Sequence, residues 1–217
     1  MKKSTLFISA AVILLAAFVA GMLIFKSKQG EEAQQAATES RSALVRMHSP
    51  MHGPADAKVE IVEFLDPACG TCRDFYPRVK QMAEDHPGQV RVALRYAPFH
   101  ANSDQVVAML YAAGKQGKHV EALEALLAAQ NDWVANHVAN PERAWTHLEG
   151  LGLDMEQLRS DMNSPAVVAL VRQDLDDATT MKVTATPEYF VNGKPLPTWG
   201  WEQLVTLVNE ELAGAYH

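Results

Sequence analysis

The stretch KVEIVEFLDPACGTCRDFYPRVKQMA, residues 58–83, decides the fold of this chain. Residues 58–65 are rich in β-branched and apolar side chains and predict a strand. After the two cysteines, apolar residues recur at three- and four-residue spacing, which predicts a helix with one buried face. Pro77 lies inside this helix and should kink it. Cys69 and Cys72 therefore follow a strand and open a helix.

This placement predicts redox chemistry for the cysteine pair. Free amides and the positive end of the dipole at a helix start stabilise an anion, so Cys69 should ionise readily and act as the nucleophile. Cys72 lies one turn further on, on the buried face, and can close a disulfide. The chain has 2 cysteines, which excludes a disulfide framework and a four-thiolate zinc site within one chain. Gly70 and Thr71 contribute no charge and no imidazole.

Two further positions are candidates for the site. Glu63 precedes Cys69 on the predicted strand, where a buried carboxylate could take the proton of Cys72; a solvated strand residue is the alternative. Thr186-Pro187 precedes a predicted strand at Glu188–Val191. A proline at a strand start belongs at an edge, a bend or a cis bond, although frequency alone favours an ordinary trans turn proline.

The remaining pattern completes an α/β architecture. Residues 90–96 predict a second strand and residues 103–181 a helical block. Residues 188–196 predict a hairpin that turns at Asn192-Gly193, and a last helix runs from Trp201 to Leu212. The order is strand, helix, strand, helical block, hairpin, helix. This order predicts an α/β fold with an all-helical insertion.

A nearly unbroken apolar run, Leu6–Phe25, precedes this domain. About 20 apolar residues suffice to cross a bilayer as a helix. Cleavage after Ala20 would place the bulky Phe18 three residues before the cut, so residues 1–25 predict an uncleaved transmembrane anchor, with a cleaved signal as the alternative. Residues 26–55 are rich in Gln, Glu, Ala and Ser and predict a polar stalk, which leaves residues 56–217 for the folded domain.

The orientation of the chain follows from charge and chemistry. Lys2 and Lys3 favour a cytoplasmic N-terminus, although Lys26 and Lys28 on the far flank weaken this indication. Thiols meet oxidants outside the cytoplasm. We expect a single-pass protein of the bacterial inner membrane with its catalytic domain in the periplasm, or a periplasmic protein if the segment is cleaved.

With its cysteine pair, Glu63 and Thr186-Pro187, the sequence resembles the DsbA-like branch of the thioredoxin superfamily over roughly residues 53–214. The resemblance implies a thioredoxin fold, a cis Thr186–Pro187 bond that makes both residues part of the site, Glu63 as a buried acid, and residues 101–181 as a helical lid. The sequence departs from the strongly oxidising members, because Gly-Thr stands in place of Pro-His and Ala68 in place of an aromatic residue. The resemblance is carried by Gly53–Asp56, Val59–Leu65, Cys69–Cys72 with Pro77, Tyr96–His100 and Val183–Gly193.

The predicted function is thiol–disulfide exchange with cysteine-containing secreted or envelope proteins, with the chain acting as a dithiol oxidase. Reduction or isomerisation of disulfides is the alternative within this class. We expect no cofactor, a monomer, and a membrane redox partner that recycles Cys69 and Cys72. The formal charge of -7 argues against nucleic acid as a partner, because phosphate binding needs a basic surface.

A second class of function is copper binding or delivery. Met47, His48, Met51 and His52 form a cluster of thioether and imidazole groups, which suit copper. The cysteine pair could add ligands to such a site. The ordinary interpretation is a flexible stalk that happens to contain two Met-His pairs, since short isolated motifs are weak evidence.

Overall fold

The computed structural model describes residues 43–216 as an α/β unit in which the cysteine pair follows a strand and precedes a helix. The strands and helices predicted around the pair are present. In chain order the elements are β1 (Met51–His52), β2 (Val59–Leu65), α1 (Gly70–Asp85), β3 (Val90–Tyr96), α2 (Ser103–Lys115), α3 (His119–Ala128), α4 (Gln130–Trp133), β4 (Val134–Ala135), β5 (Val138–Ala139), α5 (Pro141–Thr146), α6 (Met155–Met162), α7 (Pro165–Thr180), β6 (Glu188–Val191), β7 (Lys194–Pro195) and α8 (Trp201–Tyr216).

Strand β2 lies at the centre of a 5-stranded sheet with the order β1-β3-β2-β6-β7. It runs parallel to β3 and antiparallel to β6, while β1 and β7 pair antiparallel at the two edges. The C-terminal end of β2 therefore emerges from the middle of the sheet, and the loop that follows carries the cysteine pair into α1.

The alternation of side chains along β2 assigns its residues to two cores. Ile61 and Leu65 face the larger core, which includes buried residues of α1, α8 and the helical lid. Val62 and Phe64 face the smaller core on the other side, which includes the end of α7. Because side chains alternate between the faces of a strand, Glu63 points to the same side as α1 and the cysteines. Each of the four apolar side chains contributes about 1.5–3 kcal/mol by burial.

The insertion between β3 and β6 consists of helices α2 to α7, as predicted for residues 103–181, with one difference. Strands β4 and β5 form a short antiparallel hairpin within it. Asn136 and His137 make its turn with φ values of 51° and 62°. Asn and His tolerate this left-handed conformation better than most residues. Two-residue strands are too short to show an alternating pattern, so the sequence could not indicate them.

The folded unit starts at Ala43, and not at residue 56 as the sequence predicts. Ala43 and Leu44 are each only 3% exposed. Met51 pairs with Ala93 in the ladder between β1 and β3. The C-terminal part of the predicted stalk is therefore packed on the domain and covers an edge of the sheet that would otherwise leave its backbone groups unpaired.

The predicted anchor, residues 1–25, lies outside the described residues, as do residues 26–42 of the predicted stalk. Within residues 43–216 no helix has both the length and the apolar character needed to cross a bilayer.

Candidate active site

Cys69 caps the first turn of α1 and lies against the loop that precedes β6. Its φ and ψ of -82° and 121° are those of an extended N-cap residue. The amide of Cys72 donates to Cys69 Sγ at 3.4 Å, and in the thiol form Cys69 Sγ donates to the carbonyl of Thr186 at 3.2 Å. Cys69 is 6% exposed and Cys72 is fully buried. Both are free thiols in this structure.

The two thiols differ sharply in acidity. Hydrogen bonding from the Cys72 thiol, with further hydrogen bonds from the amides of Cys72 and Thr71 and from Thr186, lowers the pKa of Cys69 to about 5. Burial, together with the neighbouring Cys69, raises the pKa of Cys72 well above its usual range. At neutral pH the pair therefore holds a thiolate at Cys69 and a thiol at Cys72.

Glu63 lies beneath the pair on β2 and is fully buried. Its neighbour across the β2–β6 ladder is Tyr189, whose hydroxyl donates to Oε1 at 3.1 Å. The other oxygen, Oε2, has no hydrogen-bond partner among the described residues. Burial raises the pKa of Glu63 to about 8, against the opposing effect of the Tyr189 hydrogen bond. The carboxyl group is therefore mostly protonated at neutral pH and can exchange a proton.

The Thr186–Pro187 loop forms the wall of the site next to Cys69. The peptide bond between these residues is cis, as the resemblance implies. The carbonyl of Pro187 accepts a hydrogen bond from Trp199 Nε1 at 2.9 Å. The Trp199 ring is half exposed and its centroid lies 5.4 Å from that of Phe75 on α1. The structure thus brings together Cys69, Cys72, Glu63, Thr186 and Pro187, the five residues that the sequence nominated.

Asp66 is a buried residue of the site that sequence reasoning missed. Its carboxylate accepts hydrogen bonds from the Ala68 amide at 2.9 Å and from the amide and Nδ1 of His100 at 2.8 and 2.7 Å. The Ser103 hydroxyl also donates to it. The carboxylate therefore joins the loop before Cys69 to the start of the helical lid. An Asp before a proline indicates a local turn, but nothing local indicates its distant donors.

Gln130, the first residue of α4, is the second residue that was missed. Its side-chain amide donates to the carbonyls of Pro67 at 2.7 Å and Cys69 at 3.0 Å. The residue is only 2% exposed. Nothing in the sequence around Gln130 distinguishes it from other polar residues of the lid.

The four candidate copper ligands lie in the packed segment that precedes β2. Met47 is fully exposed. His48 Nε2 lies 3.1 Å from Asp174, and His52 Nε2 lies 3.7 Å from Glu84, so carboxylates engage both imidazoles. Met51 is 42% exposed. Across residues 43–216, no group of three or more His, Cys, Asp or Glu side chains is arranged to hold a metal ion.

The fold and the site together define a class of protein. A thioredoxin fold with a helical insertion, a cysteine pair at the start of the helix after the central strand, a buried acid beneath it and a cis-proline beside it characterise DsbA-like thiol–disulfide oxidoreductases. The family model described as thioredoxin matches residues 46–210, and the chain belongs to this family.

Two of the similar proteins have names that agree with this class, and a third is a longer chain with a different name. A thioredoxin-like oxidoreductase from Silicibacter pomeroyi superposes with a TM-score of 0.68 at 26% identity, covering 81% of this chain and 98% of that one. A probable disulfide bond formation protein D from Bacillus anthracis is 29% identical over 173 residues, 74% of this chain and 76% of that protein. A Na(+)/H(+) antiporter NhaA from Herminiimonas arsenicoxydans is 27% identical over 192 residues, 87% of this chain. The chain spans only 30% of the length of that antiporter.

Proposed function

We propose that this domain oxidises pairs of thiols in other proteins by passing them the Cys69–Cys72 disulfide. The observation that carries the proposal is the opposite shift in acidity of the two cysteines, with the pKa of Cys69 lowered to about 5 and that of Cys72 raised. A stabilised thiolate favours the reduced form of the pair, so the disulfide form is a good oxidant.

The first step is attack of a substrate thiolate on Cys69 Sγ in the disulfide form. The bond between Cys69 and Cys72 breaks, a mixed disulfide forms between the substrate and Cys69, and Cys72 leaves with the electron pair. The raised pKa of Cys72 means that the leaving group takes up a proton. Glu63 can supply this proton, because its own pKa of about 8 keeps it mostly protonated at neutral pH.

The second step releases the product. A second substrate thiolate attacks the substrate sulfur of the mixed disulfide, and Cys69 leaves as a thiolate. Its low pKa makes it a good leaving group. The substrate has then lost two electrons and gained a disulfide, and the cysteine pair holds the two electrons as a dithiol. A redox partner in the membrane must reoxidise the pair before another turnover.

The surface beside Thr186–Pro187 is suited to hold the substrate chain during this exchange. The loop lies next to Cys69 and enters β6, so an extended substrate segment can pair with its backbone as an added strand. Cysteine-containing secreted or envelope proteins are the proposed substrates. The name of the Bacillus anthracis relative, a probable disulfide bond formation protein, supports this direction.

We also propose that the domain works on the periplasmic side of the bacterial inner membrane, tethered by the apolar run Leu6–Phe25. The length of that run and its lack of a good cleavage site support an uncleaved anchor. The similar segment in a Na(+)/H(+) antiporter chain suits a domain that works at a membrane. Mass spectrometry of the mature N-terminus tests this proposal, because a species that begins near Met22 would contradict it.

The test of the proposed activity is the reduction potential of the Cys69–Cys72 pair together with oxidation of a peptide dithiol. The disulfide form should oxidise the peptide stoichiometrically when no other oxidant is present. We expect a potential between the thioredoxin and DsbA values, roughly −250 to −140 mV. A potential below about −270 mV would make the domain a reductase and would reverse the proposed direction.

A further inference from the structure

Gln130 belongs to the helical lid, and its side chain binds the backbone of the loop that carries Cys69. It is one of few polar residues buried in the described part of the chain, with 2% of its surface exposed. Its amide nitrogen donates to the carbonyls of Pro67 and Cys69, at 2.7 and 3.0 Å. A lid side chain thus spans the loop on both sides of Ala68.

The orientation of the Gln130 amide follows from its partners. Both acceptors are backbone carbonyls, which cannot donate, so the NH₂ group must face them with both of its protons. The carbonyl oxygen Oε1 then faces the dipeptide between the cysteines. A Cβ atom at Gly70 would lie 3.9 Å from Oε1. Gln130 is therefore placed against the cysteine motif by both ends of its amide.

These hydrogen bonds hold the peptide groups that shape the first turn of α1. The Cys69 carbonyl also accepts from the amide of Arg73 at 3.1 Å, and the Cys69 amide donates to the Asp66 carbonyl at 2.9 Å. The next amide groups of the turn, those of Thr71 and Cys72, face Cys69 Sγ and stabilise its charge. The Cys69 carbonyl belongs to the peptide group that leads into these amides, so holding the Pro67 and Cys69 carbonyls in place restrains the direction in which the amides point.

We propose that Gln130 is a positioning residue of the redox pair, through which the helical lid holds the first turn of α1 so that its amides stabilise the Cys69 thiolate. Loss of the two hydrogen bonds lets the turn relax, so that its amides point less directly at the Cys69 thiolate. The reduced form of the pair is then less stable. The pair becomes a weaker oxidant although no atom of Gln130 takes part in the exchange.

The role assigned to Gln130 rests on the proposed thiol exchange, and its test compares two glutamines of the lid. Gln130→Met keeps the length of the side chain but removes both donors. The matched control is Gln116→Met. Gln116 also binds backbone, donating to the Asp154 carbonyl at 3.0 Å and accepting from its amide at 2.8 Å, at a place that does not touch the cysteine loop.

The measurement is the equilibrium constant with glutathione, together with the pH titration of the Cys69 thiolate by ultraviolet absorption. For Gln130→Met we expect the equilibrium to move at least about tenfold toward the disulfide form, equal to about 30 mV, and Cys69 to ionise at higher pH. For Gln116→Met we expect neither change, whatever its effect on thermal unfolding.

A wild-type equilibrium constant and thiolate titration in a folded Gln130→Met variant would overturn the proposal. If that variant does not fold, Gln130→Asn replaces it. The shorter amide of asparagine can reach only one carbonyl, so this variant should give a smaller shift of the equilibrium constant in the same direction. An unchanged equilibrium constant in Gln130→Asn would likewise overturn the proposal. Failure of the proposed function has a different signature, because the wild-type protein itself would then not exchange thiols with glutathione.

Discussion

Two buried polar clusters lie on opposite faces of the sheet, and they differ in how completely their groups are paired. One centres on Arg95 of β3, which is fully buried. It donates to Asp174 from Nε at 3.0 Å and from Nη2 at 2.7 Å, to Asp177 at 2.5 Å, and to the Leu44 carbonyl at 3.1 Å. Arg46 forms a second ion pair with Asp177, with 2.6 Å between Nη2 and Oδ1. Two cations thus meet two anions.

The cysteine cluster is not balanced in this way. Glu63 has one oxygen without a partner among the described residues. The pKa of Glu63 is raised to about 8 by burial, and those of Cys69 and Cys72 move in opposite directions. A paired cluster binds its protons firmly and contributes to the fold, whereas an unbalanced cluster leaves groups ready to exchange protons or electrons near neutral pH. The first is expected to govern stability and the second reactivity.

The strongest test of this division removes the thiols. Cys69→Ser should abolish thiol exchange, because the sulfur that forms the mixed disulfide is gone, while Cys72→Ser should accumulate mixed disulfides with partner proteins on a non-reducing gel. Each change should alter the free energy of unfolding by no more than about 1–2 kcal/mol. If Cys72→Ser traps nothing, the roles of the two cysteines are wrongly assigned.

Arg95→Met breaks the other cluster and should have the reverse effect. It leaves the buried Asp174 without the guanidinium that balances its charge, which should cost about 3–5 kcal/mol in urea unfolding. Arg46→Met is the control, since the Arg46 side chain is 31% exposed and its loss should cost about 1 kcal/mol or less. In both variants the reduction potential should stay at the wild-type value. A large change in potential in Arg95→Met would show that the two clusters are coupled.

Glu63→Gln tests the cysteine cluster through the pH dependence of the free energy of unfolding. The pKa of Glu63 is raised from 4.5 to about 8 in the fold, so its contribution to stability is fully present below pH 4.5 and is lost as pH rises through about 8. Glutamine imitates the neutral form at every pH. In the reduced protein, Glu63→Gln should match the wild type at low pH and exceed it by a few kcal/mol above pH 8. A gap that does not change with pH would mean that Glu63 does not titrate in the fold.

The same substitution should slow the reaction. Without the carboxyl group, departure of Cys72 from the disulfide lacks its proton source, so peptide oxidation at pH 7 should slow by about tenfold or more. Glu188→Gln is a matched control on β6, where the Glu188 side chain is partly buried. Because side chains alternate between the faces of a strand, the Glu188 carboxyl group points to the face of the sheet opposite the cysteine pair. It should leave the rate unchanged.

The smallest effect is expected from the dipeptide between the cysteines. Replacing Gly70 by Pro and Thr71 by His adds an imidazole beside Cys69 and should raise the reduction potential by a few tens of millivolts, where about 30 mV corresponds to a tenfold change in the equilibrium constant. A side chain at Gly70 meets nothing closer than Gln130 Oε1, 3.9 Å from the Cβ position. The fold should therefore accept it, and glutathione equilibration gives the shift.

The sequence by itself determined the elements around the cysteine pair and the chemistry of the pair. Apolar periodicity shows β2, α1, β3 and the terminal helix, because burial selects side chains on one face of each element. The position of Cys69 at a helix start predicts a reactive thiolate from local backbone geometry alone. The β6 hairpin is local in the same sense, because its turn is encoded by Asn192-Gly193.

Only the tertiary structure decided which distant groups surround the pair and where the domain begins. Tyr189 meets Glu63 across 126 positions of the chain, Gln130 reaches Cys69 across 61, and His100 reaches Asp66 across 34. The segment before residue 56 likewise looks like a stalk until β1 is seen to pair with β3. Such contacts depend on the packing of whole elements against each other. A single polar side chain carries no periodic signal of its partner, so its pairing emerges only when the chain has folded.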